Sequence, residues 1–452
     1  MPSAFVAAFA AQASAALPRL PGSGLAWLDT LRRTQLAAFV SEGLPSARNE
    51  AWKYTALRAL DQRSYVNGDT QASDRVVDAE LLALPGVTGP RLVFVNGVFR
   101  DDLSQLDALP DGLEVQPLAQ ALSSHPEPLR FSLTRDWQGA ADAFARLNAA
   151  LASDGVVLRV AAGKQIKTPI QIVHVGAAAD SPVAWHARNV IDVGAGASLS
   201  LIEQHVAVDG HAHLGTLVSD VHVQENAQLD WLLLQDAAAD AVLMRRNLLR
   251  LEAGAQARVH ALELGGSLVR HELDVALRGD GASLHTRGVF VPRGRQHLDT
   301  HLDIRHAARN TVSDALWRGV ADQRGRGVFH GQIIVARGAD ATDAKLSNKN
   351  LLLSAHAEID TQPVLEIYAD EVLAAHGATV GQLDERSLFY LRSRGIPLAQ
   401  ARNLLTVAFC RAALDSLANE ALREHLNALL VAHLPTQMTE VRGQGTEGAG
   451  AA

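Results

Sequence analysis

The sequence predicts a mainly β fold: a parallel β-helix, or solenoid, flanked by amino-terminal and carboxy-terminal helical regions. Three observations carry that expectation. The chain has 452 residues, more than one ordinary hydrophobic core accommodates. Between about residues 155 and 380, short strands alternate apolar and polar side chains, as in 198–203, 228–234, 257–264 and 283–291. Each of these follows a small-residue turn: Gly196-Ala197, Asn226-Ala227, Gly254-Ala255 and Gly281-Ala282.

Those turns are spaced 30, 28 and 27 residues apart, and the next comparable one, Gly338-Ala339, lies 57 further on, close to two periods. A fixed period holding two strands is a repeat signature. Each coil turns where Gly or Asn tolerates positive φ. Each strand points alternate side chains inward onto the neighbouring coil. About eight coils fit the segment. A β-sandwich also suits short strands with turns, but it has no reason to keep a constant period.

The elements follow in order. Residues 1–150 read as an N-terminal helical domain with a short hairpin. Phe5, Val6 and Phe9 share one face of a first helix, and no Lys or Arg precedes its apolar stretch, which argues against a secretory signal. Trp27, Leu28, Leu31, Ala38 and Phe39 fall near a 3.6-residue period. Residues 92–99 read as two strands about an Asn96-Gly97 turn. A helical pattern returns at 142–148. Residues 151–382 form the β-helix core.

A solenoid end leaves unpaired backbone groups and an apolar cross-section. Helical segments on both sides are placed to cap it. Residues 383–434 read as a C-terminal helical domain, with Asp384 as N-cap, Gly395 as C′ residue and Pro397 in a first turn. Leu398, Ala401, Leu405, Ala408 and Ala412 mark one stripe of its next helix. Residues 435–452 are Gly/Thr/Ala-rich and expected to be disordered.

Composition excludes several functions. The net charge of −8 gives no footprint for nucleic acid, and no apolar run reaches membrane-spanning length. The single cysteine, Cys410, excludes an internal disulfide and a self-contained Cys-rich metal site. These features point to a cytoplasmic protein. Cys410 lies among apolar residues in a helix and reads as a small hydrophobe.

Of 18 histidines, His211 and His213 share a strand face, and His297, His301 and His306 lie near Asp299 and Asp303. Imidazole with carboxylate suits iron or zinc, yet most such side chains are expected to stack outward into solvent. His376 differs. It sits at the last coil, with Gly377 and Gly381 leaving the backbone uncluttered, where a partner would dock. An imidazole there suits an interfacial ligand or proton carrier, or simply shapes a turn.

Several stretches carry a specific resemblance. They are Gly331-Gln-Ile-Ile-Val335, Asn348-Lys-Asn-Leu-Leu-Leu-Ser354, Pro363-Val-Leu-Glu-Ile-Tyr-Ala-Asp370, His376-Gly-Ala-Thr-Val-Gly-Gln-Leu-Asp-Glu385 and Phe389-Tyr-Leu-Arg-Ser-Arg-Gly-Ile396. With Glu50-Ala-Trp-Lys-Tyr-Thr55 and Leu147-Asn148, the chain resembles the SufB/SufD family of iron–sulfur cluster assembly proteins along nearly its whole length. The SufD branch fits best. SufB proteins are richer in cysteine and carry His-Glu-Ala where this chain has His376-Gly377-Ala378.

The resemblance implies a right-handed β-helix that pairs with SufB through its end, and a C-terminal helical domain that docks the ATPase SufC. It implies a non-catalytic scaffold, able to form a homodimer when alone, with an iron–sulfur cluster present only transiently in the complex and reduced flavin bound by that complex. It places His376 at the assembly interface as the one tentative metal ligand, with Gly377, Thr379 and Gly381 as motif support. Many members carry a cysteine two residues earlier; here that position is Ala374, so sulfur chemistry falls to the partner. The competing readings are a SufB-like scaffold that carries the cluster itself, which cysteine poverty opposes, and a β-helix enzyme acting on polysaccharide, which needs clustered carboxylates for calcium and is usually secreted, so that the cytoplasmic signs oppose it.

Overall fold

Two long sheets wind together into a solenoid of about eight turns with helices on both sides of it in sequence. The computed structural model describes residues 3–68, 76–135, 137 and 139–434. The tail 435–452, expected to be disordered, lies outside the described residues.

The first sheet runs, in spatial order, through Leu113–Pro117, Val156–Val160, Val183–Val193, His213–Val223, Val242–Leu251, Leu268–Leu277, His297–His306, Arg326–Val335 and Glu358–Ile367. The second runs through Val98–Phe99, Arg91–Val95, Ile170–Gly176, Ser198–Ala207, Gln228–Gln235, Gln256–Glu263, Ser283–Phe290, Val312–Ala321, Asp343–Leu352 and Leu373–Gly381. From Val156–Val160 onward, successive strands alternate between the sheets, and each pairs in parallel with the strand one coil away.

One corner recurs from coil to coil. Gly163, Gly196, Asn226, Gly254, Gly281, Asn310 and Ala341 all have φ between +54° and +74°. Each of their N–H groups donates to a carbonyl one coil further on, from Gly163 to Ala195 at 2.8 Å through Ala341 to Glu371 at 3.1 Å. The chain does turn at Gly338 (φ +83°), as expected, but the corner column itself is held by Ala341 in that connection and by Asn310 one coil earlier. Between the sheets lies a continuous core holding Leu201, Trp231, Leu249, Leu273, Phe290, Trp317, Phe329 and Leu346.

The amino-terminal end is sealed by reversal of the chain. The strand Val98–Phe99 turns back antiparallel on Arg91–Val95 through Asn96 (φ +48°) and Gly97 (φ +80°), the expected hairpin. Leu113–Pro117 likewise pairs antiparallel with Val156–Val160. Phe99, Leu106 and Leu109 pack over the end of the core.

Three helices cover the outer face of the first sheet. Helix α1 (Ala4–Ala16) buries Phe5, Val6, Phe9 and Ala13, and α2 (Ala26–Glu42) buries Leu28 and Phe39. Helix α3 (Ala143–Leu151) is buried on every side. Its Asn148 amide donates to the carbonyls of Ala187 (2.8 Å) and Thr216 (3.1 Å), tying helix to sheet.

The carboxy-terminal helices do not cap the last coil as expected. Helix α4 (Glu385–Ser393) is capped by Asp384, whose carboxylate accepts from Ser387 N–H at 3.0 Å, and Gly395 has φ +86° beyond its end. Helices α5 (Leu398–Arg411) and α6 (Glu420–His433) instead lie along the outer face of the second sheet, against Ile202, Leu232, Leu234, Leu262 and Val289. That apolar strip runs along the solenoid, so burial favours a lateral position. The buried stripe of α5 is Ala401, Thr406, Val407 and Cys410, rotated from the expected one: Leu398 and Ala408 are exposed. Pro397 is the N-cap rather than a first-turn residue.

The interior is not purely apolar. Glu203 and Arg245 face each other across it at 2.9 Å, both fully buried. His205 Nε2 lies 3.1 Å from the same Glu203 oxygen, and His174 stacks on His205 with ring centres 4.8 Å apart. Burial alone would raise Glu203, but Arg245 and His205 hold it down to about 2. Burial pushes His174, His186 and His213 down to about 3 and His205 to about 4, so these rings are neutral at pH 7.

Two outcomes follow. Arg245→Leu strands the Glu203 carboxylate and costs roughly 3–5 kcal/mol in urea unfolding. The unfolded chain gains protons on these histidines below about pH 6.5 while the folded chain does not. Stability is therefore whole above that pH and is lost as pH falls toward 4. A urea midpoint unchanged between pH 7 and 5 would contradict this.

Candidate functional site: the open end of the solenoid

The last two strands, Glu358–Ile367 and Leu373–Gly381, each pair on one side only among the described residues. Their other edges continue no ladder. The corresponding strands of earlier coils are buried; here Leu373 is 72% and Val380 42% exposed, with Ile367 and Tyr368 exposed beside them.

His376 sits at the centre of this end. It is in register with Leu346, a core residue, as Ala374 is with Ala344 and Ala378 with Asn348. His376 thus occupies a row that points inward in every earlier coil. It is exposed only because no further coil covers it. It lies mid-strand, which corrects the reading of a turn histidine. It has no hydrogen-bond partner among the described residues, so both ring nitrogens are open to an incoming group. Gly377 and Gly381 face open space, where an added Cβ would meet nothing within 4 Å. Their smallness answers no need of this chain's own packing. Ala374 places a methyl group, not a thiol, two residues before His376 on this strand.

One layer below lies a polar group that sequence reasoning missed. Asn348 is fully buried, and its Oδ1 accepts from Thr361 Oγ1 (2.8 Å) and from Asn350 Nδ2 (2.5 Å). Asn350 Nδ2 also donates to the Thr379 carbonyl at 3.0 Å and so holds the last strand in place. Asn348 Nδ2 has no hydrogen-bond partner among the described residues. Counting one period back from Ala378 would have found Asn348, since register stacks one upon the other.

The other candidates do not gather at this end. His213, His301 and His306 are buried, against the expectation that they stack into solvent. Parity placed them: His306 turns inward and bonds Thr311 and Ser313 at 2.8 and 2.9 Å. His301 pairs with Asp299 at 3.0 Å, and His297 lies 2.9 Å from Thr55 Oγ1, both beneath the amino-terminal region. Asp303 is raised to about 7 by burial and by Asp274 beside it. Among the described residues, no group of three or more His, Cys, Asp or Glu is arranged to hold a metal ion. Cys410 is buried between α5 and the second sheet, and burial pushes its thiol up to about 12. No helix is long and apolar enough to cross a membrane among the described residues.

These features define a β-solenoid protein with one sealed end, one open end and a lone imidazole in the open mouth. Residues 174–409 match the SufBD core domain of SUF-system FeS cluster assembly, and residues 19–172 match the SufBD protein N-terminal region. The iron–sulfur cluster assembly protein SufD of Escherichia coli is 32% identical over 88% of this chain and 92% of its own length. SufD of Bacillus subtilis is 27% identical over 63% of this chain and 65% of its own length. The chloroplastic protein ABCI7 of Arabidopsis thaliana is 27% identical over 94% and 91%. The chain belongs to the SufBD family of SUF-system iron–sulfur cluster assembly proteins.

The burial of Cys410 is directly testable. A thiol reagent such as Ellman's should leave the folded chain almost unlabelled and titrate one thiol after denaturation. Fast labelling of the folded chain would place Cys410 at an accessible surface.

Proposed function

We propose that this chain is a SufD-type, non-catalytic scaffold of the cytoplasmic SUF system, pairing with a SufB solenoid through its open end and docking the SufC ATPase through its carboxy-terminal helices. The carrying observation is the uncovered last coil. Unpaired strand edges beside exposed Leu373 and Val380 are costly in water and are relieved when another sheet continues the ladder. His376 then lies inside the joint, where a partner's thiolates would face it. Its role is to ligate or shape the nascent cluster, which is cargo of the complex; among the described residues, the ligands this chain offers there are His376 and nearby oxygens. Reduced flavin is assigned to the assembled complex and to no residue of this chain.

Docking of SufC fits the exposed side of the carboxy-terminal helices. Phe389 is 75% and Tyr390 55% exposed on α4, with Leu398 and Leu404 exposed on α5. These residues lie on helices rather than on the strand edges of the open end, so the two partners would use different elements. Removing 384–434 as a test is unsuitable, because α5 and α6 cover apolar residues of the second sheet.

Point variants separate the roles. His376→Ala should leave the three-subunit complex intact by light scattering while abolishing cluster formation read by absorbance. Wild-type cluster yield would remove His376 from the mechanism. Leu373→Asp with Val380→Asp should lose SufB and retain SufC. Phe389→Asp with Tyr390→Asp should do the reverse; retained SufC pull-down would relocate that interface.

A further inference from the structure

A second histidine site lies far from the open end, in the connection between Ser198–Ala207 and His213–Val223. His211 and His213 are two apart, and the chain brings His213 Nδ1 to 3.1 Å from His211 Nε2. Their rings lie 4.9 Å apart at 31°. The other nitrogen of His211, Nδ1, is 3.2 Å from both the Asp209 carboxylate and the Asp209 carbonyl. That carboxylate is itself fixed by Ala178 N–H at 2.8 Å. His213 is buried beneath Trp185, at 6.0 Å between ring centres.

The close approach of the two rings needs Gly176. A Cβ there would come within 2.7 Å of His213 Cε1 and 3.2 Å of both His211 Cε1 and His213 Nδ1. The backbone of the neighbouring coil has therefore left room for the pair.

We propose that His211 and His213 form a binding site for a divalent ion of the zinc, copper or nickel kind, with Nε2 of His211 and Nδ1 of His213 as ligands. Nitrogens 3.1 Å apart, each about 2.05 Å from one ion, subtend roughly 100° there, within tetrahedral or cis-octahedral range. Imidazole is the ligand such ions favour. Asp209 on the far nitrogen of His211 supplies the carboxylate–histidine–metal arrangement that fixes tautomer and ring orientation. Binding moves the proton shared between the two nitrogens to Nε2 of His213, so both rings stay neutral and both facing nitrogens are free for the ion. Water completes the coordination from the side on which Asp209 is exposed.

The site does not depend on the assembly reading, because it uses neither His376 nor a partner. Its test is calorimetric titration of the untagged full chain with Zn2+, with Cu2+ electron paramagnetic resonance as a second readout. The expected result is one Zn2+ per chain and a Cu2+ spectrum split by two nitrogens. His211→Ala should abolish both. Asp209→Ala should weaken Zn2+ binding about tenfold, and His376→Ala should leave it unchanged. The proposal is overturned if wild type takes up no Zn2+, if His211→Ala and Asp209→Ala both bind as wild type does, or if loss occurs in His376→Ala instead.

Discussion

The structure depends on one constraint: every backbone N–H and C=O of a coil must be met by the coil next to it. A parallel ladder allows no slack in that requirement. It forces the corners into one column although the coils differ in length, from 27 residues between Gly254 and Gly281 to 33 between Gly163 and Gly196, so the connections elsewhere in each coil absorb the difference. It forces positive φ at the corner, where even Ala341 adopts φ +58°. It also creates two ends that cannot both be satisfied from within. The amino-terminal end is met by chain reversal at Val98–Phe99 and Leu113–Pro117. The other is left to continue.

Stacking of this kind makes the interior a narrow slot between two sheets. Apolar side chains fill it but do not by themselves fix how one sheet sits over the other. The buried polar groups do. Glu203 stands on the second sheet and Arg245 on the first. Glu263 on the second sheet lies 2.5 Å from His271 Nδ1 and accepts from Thr300 Oγ1 at 2.9 Å, both on the first. Each is a brace across the slot with directional geometry. Such pairs offset their own desolvation poorly. Their contribution is specificity of alignment, and Gln235, stacked in register between His205 and Glu263, continues the same row.

Much of this was legible in the sequence. Gly196, Asn226, Gly254 and Gly281 announced the period, and Asn96-Gly97 announced the hairpin. Asn310 escaped because it follows Arg309 rather than opening a small-residue pair, and Ala341 because alanine gives no sign of positive φ. Burial of the histidines was readable in part: His205 is in phase with Leu199 and Leu201, both core residues. The placement of α5 and α6 was not readable. Both carry apolar residues on more than one side, and the face that turns inward is decided by the strip the second sheet presents. The mouth was legible at His376 and not at Asn348, because the stacking partner of a solenoid residue lies a whole period away in sequence.

The two edges at the open end are not equivalent, and that bears on how assembly proceeds. Natural sheets protect edges with charge, proline or short strands. The first-sheet edge, Glu358–Ile367, carries Glu358, Asp360 and Glu366, and Pro363 removes one donor from its ladder. The second-sheet edge, Leu373–Gly381, is nine residues without a charged side chain of fixed sign and without proline. Left in water, it would be a hazard for unspecific pairing. One edge is blunted and the other is bare, and in the proposed assembly the bare one is the edge that pairs. His376 stands on that strand, so backbone pairing along the second sheet would carry its imidazole into the joint. In this reading the position of the histidine follows from the ladder, and the chemistry of the interface is set by which edge was left unprotected.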